Sequence, residues 1–98
     1  MNMATSEIKQ LNGFGTPTTV TLPFTATADG IVVIIVNPSS SADSYLYIKE
    51  NNSYHYEGSS RGGLAYTLVF PVKKGRQYSI GDATNAAISR GVRFYPFV

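Results

Sequence analysis

The sequence predicts an all-β domain, an antiparallel sandwich or barrel of about eight short strands. Three observations carry that expectation. Apolar and polar residues alternate with period two in several stretches. Turn-forming Gly, Pro, Asn, Asp and Ser clusters recur at even spacing between those stretches. No segment shows helical spacing of apolar residues with capping residues at its ends.

In chain order, Val20, Leu22 and Phe24 alternate with Thr19, Thr21 and Thr25, the pattern of a half-buried strand with a hydroxyl outer face. Ala28-Asp29-Gly30 is a turn, and residues 31–36 (Ile-Val-Val-Ile-Ile-Val) form the second strand. Asn37-Pro38 and the serines at 39–41 close it with a loop. Residues 45–49 and 54–57 flank Glu50-Asn51-Asn52-Ser53, a hairpin whose asparagines suit positive φ. Residues 58–63 read as a mobile Gly/Ser loop. Leu64, Tyr66, Leu68 and Phe70 alternate with Ala65, Thr67 and Val69 before Pro71, which is expected to end the strand. Lys73-Lys74-Gly75-Arg76 turns into a strand at 77–80, and residues 81–85 read as another turn. A short strand at 86–89 and a last one at 91–98 complete the set.

A chain of 98 residues is one domain, and at that size folding hides only roughly 60–65% of the surface of the unfolded chain. Cysteine is absent, which excludes disulfides, thiolate chemistry and Cys-based zinc sites. A net charge of +2 is too small to imply nucleic acid or an anionic membrane. Charged residues make up 14%, against about 25% in ordinary globular proteins, so Ser, Thr, Asn, Gly and Tyr must build the polar surface. Residues 1–10 show no basic region followed by an apolar stretch, and the longest apolar run is far below the roughly 20 residues of a membrane span. The expectation is a soluble chain without a targeting segment.

Catalytic patterns are not found. The single histidine, His55, has no Gly-x-Ser-x-Gly elbow to serve, and a structural or surface role is expected. Glu7, Asp29, Asp43, Glu50, Glu57 and Asp82 fall mostly at turns, and Glu50 and Glu57 are the one close acidic pair. Asp43 with its neighbouring loop oxygens lacks EF-hand spacing, so no metal is expected. Gly13-Phe14-Gly15 and Gly62-Gly63 have no helix behind them to make a phosphate loop, and no cofactor is expected. Arg61, Lys73, Lys74 and Arg76 beside aromatic strands would suit an OB-type nucleic-acid surface, but they fall in separate turns. The chain reads as non-enzymatic.

Two features read as contact surfaces. Residues 31–36 have no polar face, although a sandwich this small should show one face of each strand to water. Either a loop or another subunit must cover that side. Phe94, Tyr95, Pro96, Phe97 and Val98 are apolar on both faces as well, which favours a subunit. Ile31, Val33, Ile35, Phe94, Tyr95 and Phe97 are the expected interface residues. The second feature is the tyrosine hairpin. A turn centred on Asn51-Asn52 puts Tyr45, Tyr47, Lys49, Tyr54 and Tyr56 on one face, with Tyr47 opposite Tyr56, and His55 on the face of Leu46 and Ile48. These residues and Arg61 are the candidates for ligand contact, since tyrosine suits both sugar stacking and protein contact. A one-residue change in loop length would turn the tyrosines inward instead, so either face could be the buried one.

In order and spacing, the chain resembles the TNF/C1q-like jelly roll, particularly the small heads that end bacteriophage tail fibres and similar virion appendages. The resemblance lies in Phe24-Thr25-Ala26-Thr27-Ala28-Asp29-Gly30-Ile31-Val32, in the strand from Tyr45 into the Asn turn, in Phe70-Pro71-Val72-Lys73-Lys74-Gly75-Arg76-Gln77-Tyr78, and in Val92-Arg93-Phe94-Tyr95-Pro96-Phe97. Arg76 stands where the family usually carries an acidic residue, and no collagen-like or heptad stalk is present. The resemblance implies an antiparallel jelly-roll sandwich over residues 19–98, with residues 1–18 an N-terminal arm or first strand that could attach it. It implies a homotrimer joined through one sheet and the closing strand, placed at a virion surface among other virion proteins. A binding head or surface decoration contacting host-surface glycan through residues 37–44, 51–53 and 58–63 is the function it suggests. A capsid or tail cement protein without a receptor role, and a monomeric carbohydrate-binding or OB-type module, are the alternatives.

Overall fold

The computed structural model describes residues 14–98. The chain forms β1 (Thr18–Val20), β2 (Phe24–Thr25), β3 (Gly30–Val36), β4 (Ser44–Glu50), β5 (Ser53–Ser60), β6 (Tyr66–Val72), β7 (Gln77–Thr84) and β8 (Ile88–Pro96). They make two antiparallel sheets of four strands, in the orders β1-β8-β3-β6 and β2-β7-β4-β5. Every connection except the β4–β5 hairpin crosses from one sheet to the other, and this is the jelly-roll order. Among the described residues, no helix is long and apolar enough to cross a membrane.

Alternation sets the core. Val32, Ile34 and Val36 of β3 are fully buried, as are Leu46 and Ile48 of β4, and Phe70, Val72, Tyr78, Val92 and Phe94 close the layer between the sheets. Phe70 lies between two tyrosines, stacked on Tyr56 with centroids 5.0 Å apart and tilted against Tyr78 at 5.8 Å. At the far side, Phe24 meets Phe94 at 5.0 Å.

Several boundaries differ from the sequence reading, each for a backbone reason. The expected first strand is split in two, because Pro23 has no N–H to give a ladder and the chain changes sheets there. Pro71 does not end its strand. It sits within β6, an edge strand whose free side asks nothing of the proline nitrogen. Leu64 lies outside that strand and is 68% exposed. Gly58, Ser59 and Ser60 are not loop but the second half of β5, paired with Leu46, Tyr45 and Ser44. Glycine suits that position because a Cβ on Gly58 would press on the Tyr66 ring. Likewise β7 runs through the expected turn at 81–84, absorbing one extra residue opposite Tyr47 and Ile48. The two short strands expected at 86–89 and 91–98 are one, β8, kinked by Arg90 and Gly91 at φ +61° and +72°.

Loops gather at the two ends of the sandwich. At one end the β4–β5 turn, with Asn51 and Asn52 at φ +47° and +68°, meets residues 26–29 and 73–76; Lys74 N donates to Asp29 Oδ1 at 2.8 Å and Gln77 N to Asn51 Oδ1 at 3.0 Å. At the other end Asn85 ties down the β3–β4 loop. Its Oδ1 accepts from Ser39 N, Ser39 Oγ and Ser40 N, and its Nδ2 donates to the carbonyls of Ser40 and Ala42. Gly62 N donates to Asp43 Oδ1 at 3.3 Å, which brings the β5–β6 loop to the same end.

Candidate functional site: the outer face of the tyrosine sheet

Leu46 and Ile48 point into the core, so the odd-numbered residues of β4 (Tyr45, Tyr47 and Lys49) form the outer face of their sheet. The hairpin keeps the expected two-residue turn and pairs Glu50 with Ser53 and Lys49 with Tyr54. One step further the register slips, with Ile48 opposite Tyr56 and Tyr47 opposite Glu57. His55 is the extra residue of a bulge. The expected pairing of Tyr47 with Tyr56 is thereby overturned, and Tyr56 leaves the outer face to stack on Phe70 inside. Without the slip, an imidazole would stand opposite buried Ile48; with it, a tyrosine ring takes that place and His55 stays exposed. His55 Nε2 lies 4.0 Å from Glu50 Oε1.

Four of the six candidates for ligand contact therefore share one surface. Tyr45 and Tyr47 meet at 5.2 Å and 57°, and Tyr47 and Tyr54 at 6.2 Å and 88°. Tyr54 reaches across β4 to donate to the carbonyl of Gly81 at 3.2 Å, and Lys49 Nζ lies 5.2 Å from the centre of its ring. Gly81 is the seat of this ring, since a Cβ there would occupy the space of Tyr54 and of the Lys49 stem. Arg61 stands apart, just past the opposite end of β5 from Tyr54, and nowhere near Lys73, Lys74 and Arg76 at the other end of the sandwich.

Sequence reading alone gives Glu57 and Asp82 no part in this surface, yet the register sets them on either side of Tyr47. The Glu57 carboxylate, with help from partial burial, holds the Tyr47 hydroxyl above the usual tyrosine value. Only the strand pairing shows this, because Asp82 is far from Tyr47 along the chain. Between Tyr47, Tyr54, His55, Tyr56 and Glu57 the surface dips into a niche of about 240 Å³.

Beneath the hairpin turn, a second cluster is structural. Glu50 is nearly buried; its Oε2 accepts from Tyr78 Oη at 2.7 Å and its Oε1 from Arg76 Nη1 at 2.8 Å. The Tyr78 bond, more than Arg76, keeps the Glu50 carboxyl below the usual carboxylate range against the opposing effect of burial. Tyr78 is pushed up to about 12 by burial first and by the same bond second. Glu50 and Glu57 thus lie on opposite faces of the sheet and make no catalytic pair.

The other sheet carries the expected interface residues, with one correction. Ile31, Val33 and Ile35 line its outer face, half-buried among their neighbours, and Tyr95 pairs beside Ile31. Phe97 is 51% exposed and stacks on Phe14 at 5.5 Å. Phe94 does not belong to this surface: it alternates with Tyr95, pairs with buried Val32 and fills the core of the single chain. Val69 and Pro71 of β6, absent from the expected set, extend the strip on the other side of β3.

Two surfaces of different chemistry thus stand back to back on an eight-stranded antiparallel jelly roll, one with an apolar strip bordered by Arg93, Ser89 and Thr67 and one rich in tyrosine. Compared with protein-family models, with curated proteins and with solved structures, the chain has no significant match in any of the three.

Proposed function

We propose that the chain is a non-enzymatic adhesion module that associates with copies of itself through the apolar sheet and presents the tyrosine sheet to a surface ligand. The observation that carries this is the outer face of the β1-β8-β3-β6 sheet. Ile31, Val33 and Ile35 run down its centre, with Val69 and Pro71 on one side and Tyr95, Phe97 and Phe14 at the other. Arg93 beside Val33, and Ser89 and Thr67 beside Ile35, are the polar residues that border this strip. Apolar surface of this kind is costly to leave in water and marks an interaction site. The resemblance to TNF/C1q-like heads agrees with it and suggests the stoichiometry, a homotrimer, and the setting, a virion surface with a glycan ligand.

Of the N-terminal segment read as an attachment arm or first strand, residues 1–13 lie outside the described residues. Phe14 and Gly15 lie against the end of β8, and Thr18 opens β1. Three copies presenting the same face would gain by multivalency what each weak contact lacks.

Light scattering on a size-exclusion column tests the reading. The chain is expected to elute as a trimer at micromolar concentration, and Val69→Glu, on an exposed outer position, to elute as a monomer with an unchanged circular dichroism spectrum. A monomeric wild-type chain overturns the assembly. Trimers that associate with particles but bind nothing on a glycan array would instead identify a cement protein.

A further inference from the structure

From the corner between Tyr47 and Tyr54 we infer that the niche beside Glu57 takes an alkylated ammonium group, as carried by a choline or methylated-amine substituent of a surface polymer. The inference rests on the reading of the tyrosine sheet as the ligand face and names the chemistry that face selects.

Ring geometry is the first argument. A sugar stacks flat on one ring or on rings lying in one plane, whereas Tyr47 and Tyr54 stand at 88° with centroids 6.2 Å apart. A cation is drawn to the face of an aromatic ring from within about 6 Å of its centre. Two perpendicular rings at this separation let one point lie within that reach of both. The walls of the niche are apolar enough to receive methyl groups, and its volume of about 240 Å³ has room for a group of that size.

Charge is the second. Glu57 lines the niche and supplies its one carboxylate; Asp82 lies outside it, on the far side of Tyr47. Of the basic side chains nearby, His55 lines the niche with Nε2 4.0 Å from Glu50 Oε1, and the Lys49 ammonium lies over Tyr54 at 5.2 Å. Lys49 does not line the niche, so its ammonium leaves the corner open. It also shows the preference at work within the chain, since a flexible lysine rests on this ring. A neutral ligand would gain nothing from the charge of Glu57, and an anion would be repelled by it.

The test is a titration of the full-length isotope-labelled chain by NMR with choline chloride, with the uncharged isostere in which carbon replaces the ammonium nitrogen, and with a panel of neutral monosaccharides. Choline is expected to move the ring resonances of Tyr47 and Tyr54, and to bind at least about tenfold more tightly than the isostere. Glu57→Gln, an exposed substitution with no buried partner to lose, is expected to weaken choline about threefold to tenfold. Tyr54→Leu is expected to abolish the shifts. Equal binding of choline and isostere, or an unchanged affinity in Glu57→Gln, overturns the inference. Shifts at Tyr45, Tyr47 and Tyr54 with a neutral sugar but none with choline overturn it too, while leaving the ligand face standing. No response at these residues to any probe sinks both.

Discussion

Replacing Tyr78 by Phe removes one oxygen from the Glu50 cluster beneath the hairpin turn and leaves the ring in place. That oxygen serves two partners: it donates to Glu50 Oε2 at 2.7 Å and accepts from Lys73 N at 2.8 Å. A hydrogen bond to a charged group contributes about 1.5–3 kcal/mol and a neutral one about 0.5–1.5 kcal/mol, so at neutral pH the substitution should cost roughly 2–4 kcal/mol. For a chain of this length that lowers the melting temperature by roughly 10–25 °C. The cost must also depend on pH. The folded-state pKa of Glu50 is depressed, chiefly by Tyr78, so its contribution is fully present above the unfolded value near 4.5 and is lost as pH falls through the folded value. Once Glu50 is protonated in both states only neutral hydrogen bonds separate the two proteins, and the difference should shrink to about 1–2 kcal/mol. Urea unfolding of both proteins, followed by circular dichroism over a pH series from neutrality to about 2, measures it. A difference below about 0.5 kcal/mol at neutral pH, or one that stays constant through the acid range, would refute the assigned role of the Tyr78–Glu50 pair.

Two further substitutions probe the frame. Asn85→Ala removes the side chain that holds Ser39, Ser40 and Ala42, and should cost about 1–2 kcal/mol while raising amide hydrogen exchange at Ser39 and Ser40 toward solvent rates. Protection left intact at both amides would show that the loop holds itself. Gly58→Ala sets a methyl group against the Tyr66 ring and should destabilise by about 1–3 kcal/mol in thermal melts, whereas a loop residue would tolerate it with no change.

Much of this architecture is legible in the residues. The alternation in β6 and the Asn51-Asn52 turn give the register near each element, and the apolar run of β3 announces a strand with something on both sides. What is hidden is wherever pairing overrides composition. Gly58, Pro71 and Gly81 are residues that usually end strands, yet each is carried inside one: the Tyr66 ring lies over Gly58, the Tyr54 ring over Gly81, and Pro71 sits on an edge strand. The bulge at His55 has no local mark: the same turn with an unbroken ladder would leave Tyr56 outside, and the gain that selects the bulge, stacking on Phe70, comes from a strand in the other sheet. Phe94 is misplaced by the same limit, since an aromatic run on a closing strand does not say which of its rings faces in. Nor can spacing along the chain join Asp82 to Tyr47 or Glu50 to Tyr78; those neighbours exist only once β4 lies beside β7.

Asn85 also bears on how this scaffold could change over generations or in a library. Its side chain reads the β3–β4 loop through main-chain groups alone, apart from Ser39 Oγ. Side chains at residues 41 and 42 are therefore free to vary while the loop keeps its path, whereas the Ser39 hydroxyl donates to Asn85 Oδ1 and that of Ser40 accepts from Ala42 N. The number of residues in that loop is fixed too, because every amide and carbonyl must meet the same clamp. The β5–β6 loop meets its neighbour through Gly62 N and the close approach of Gly63 to Ser40, a looser tie. Variation at this end should thus fall into two kinds: substitution without length change in the first loop, and insertion or deletion in the second.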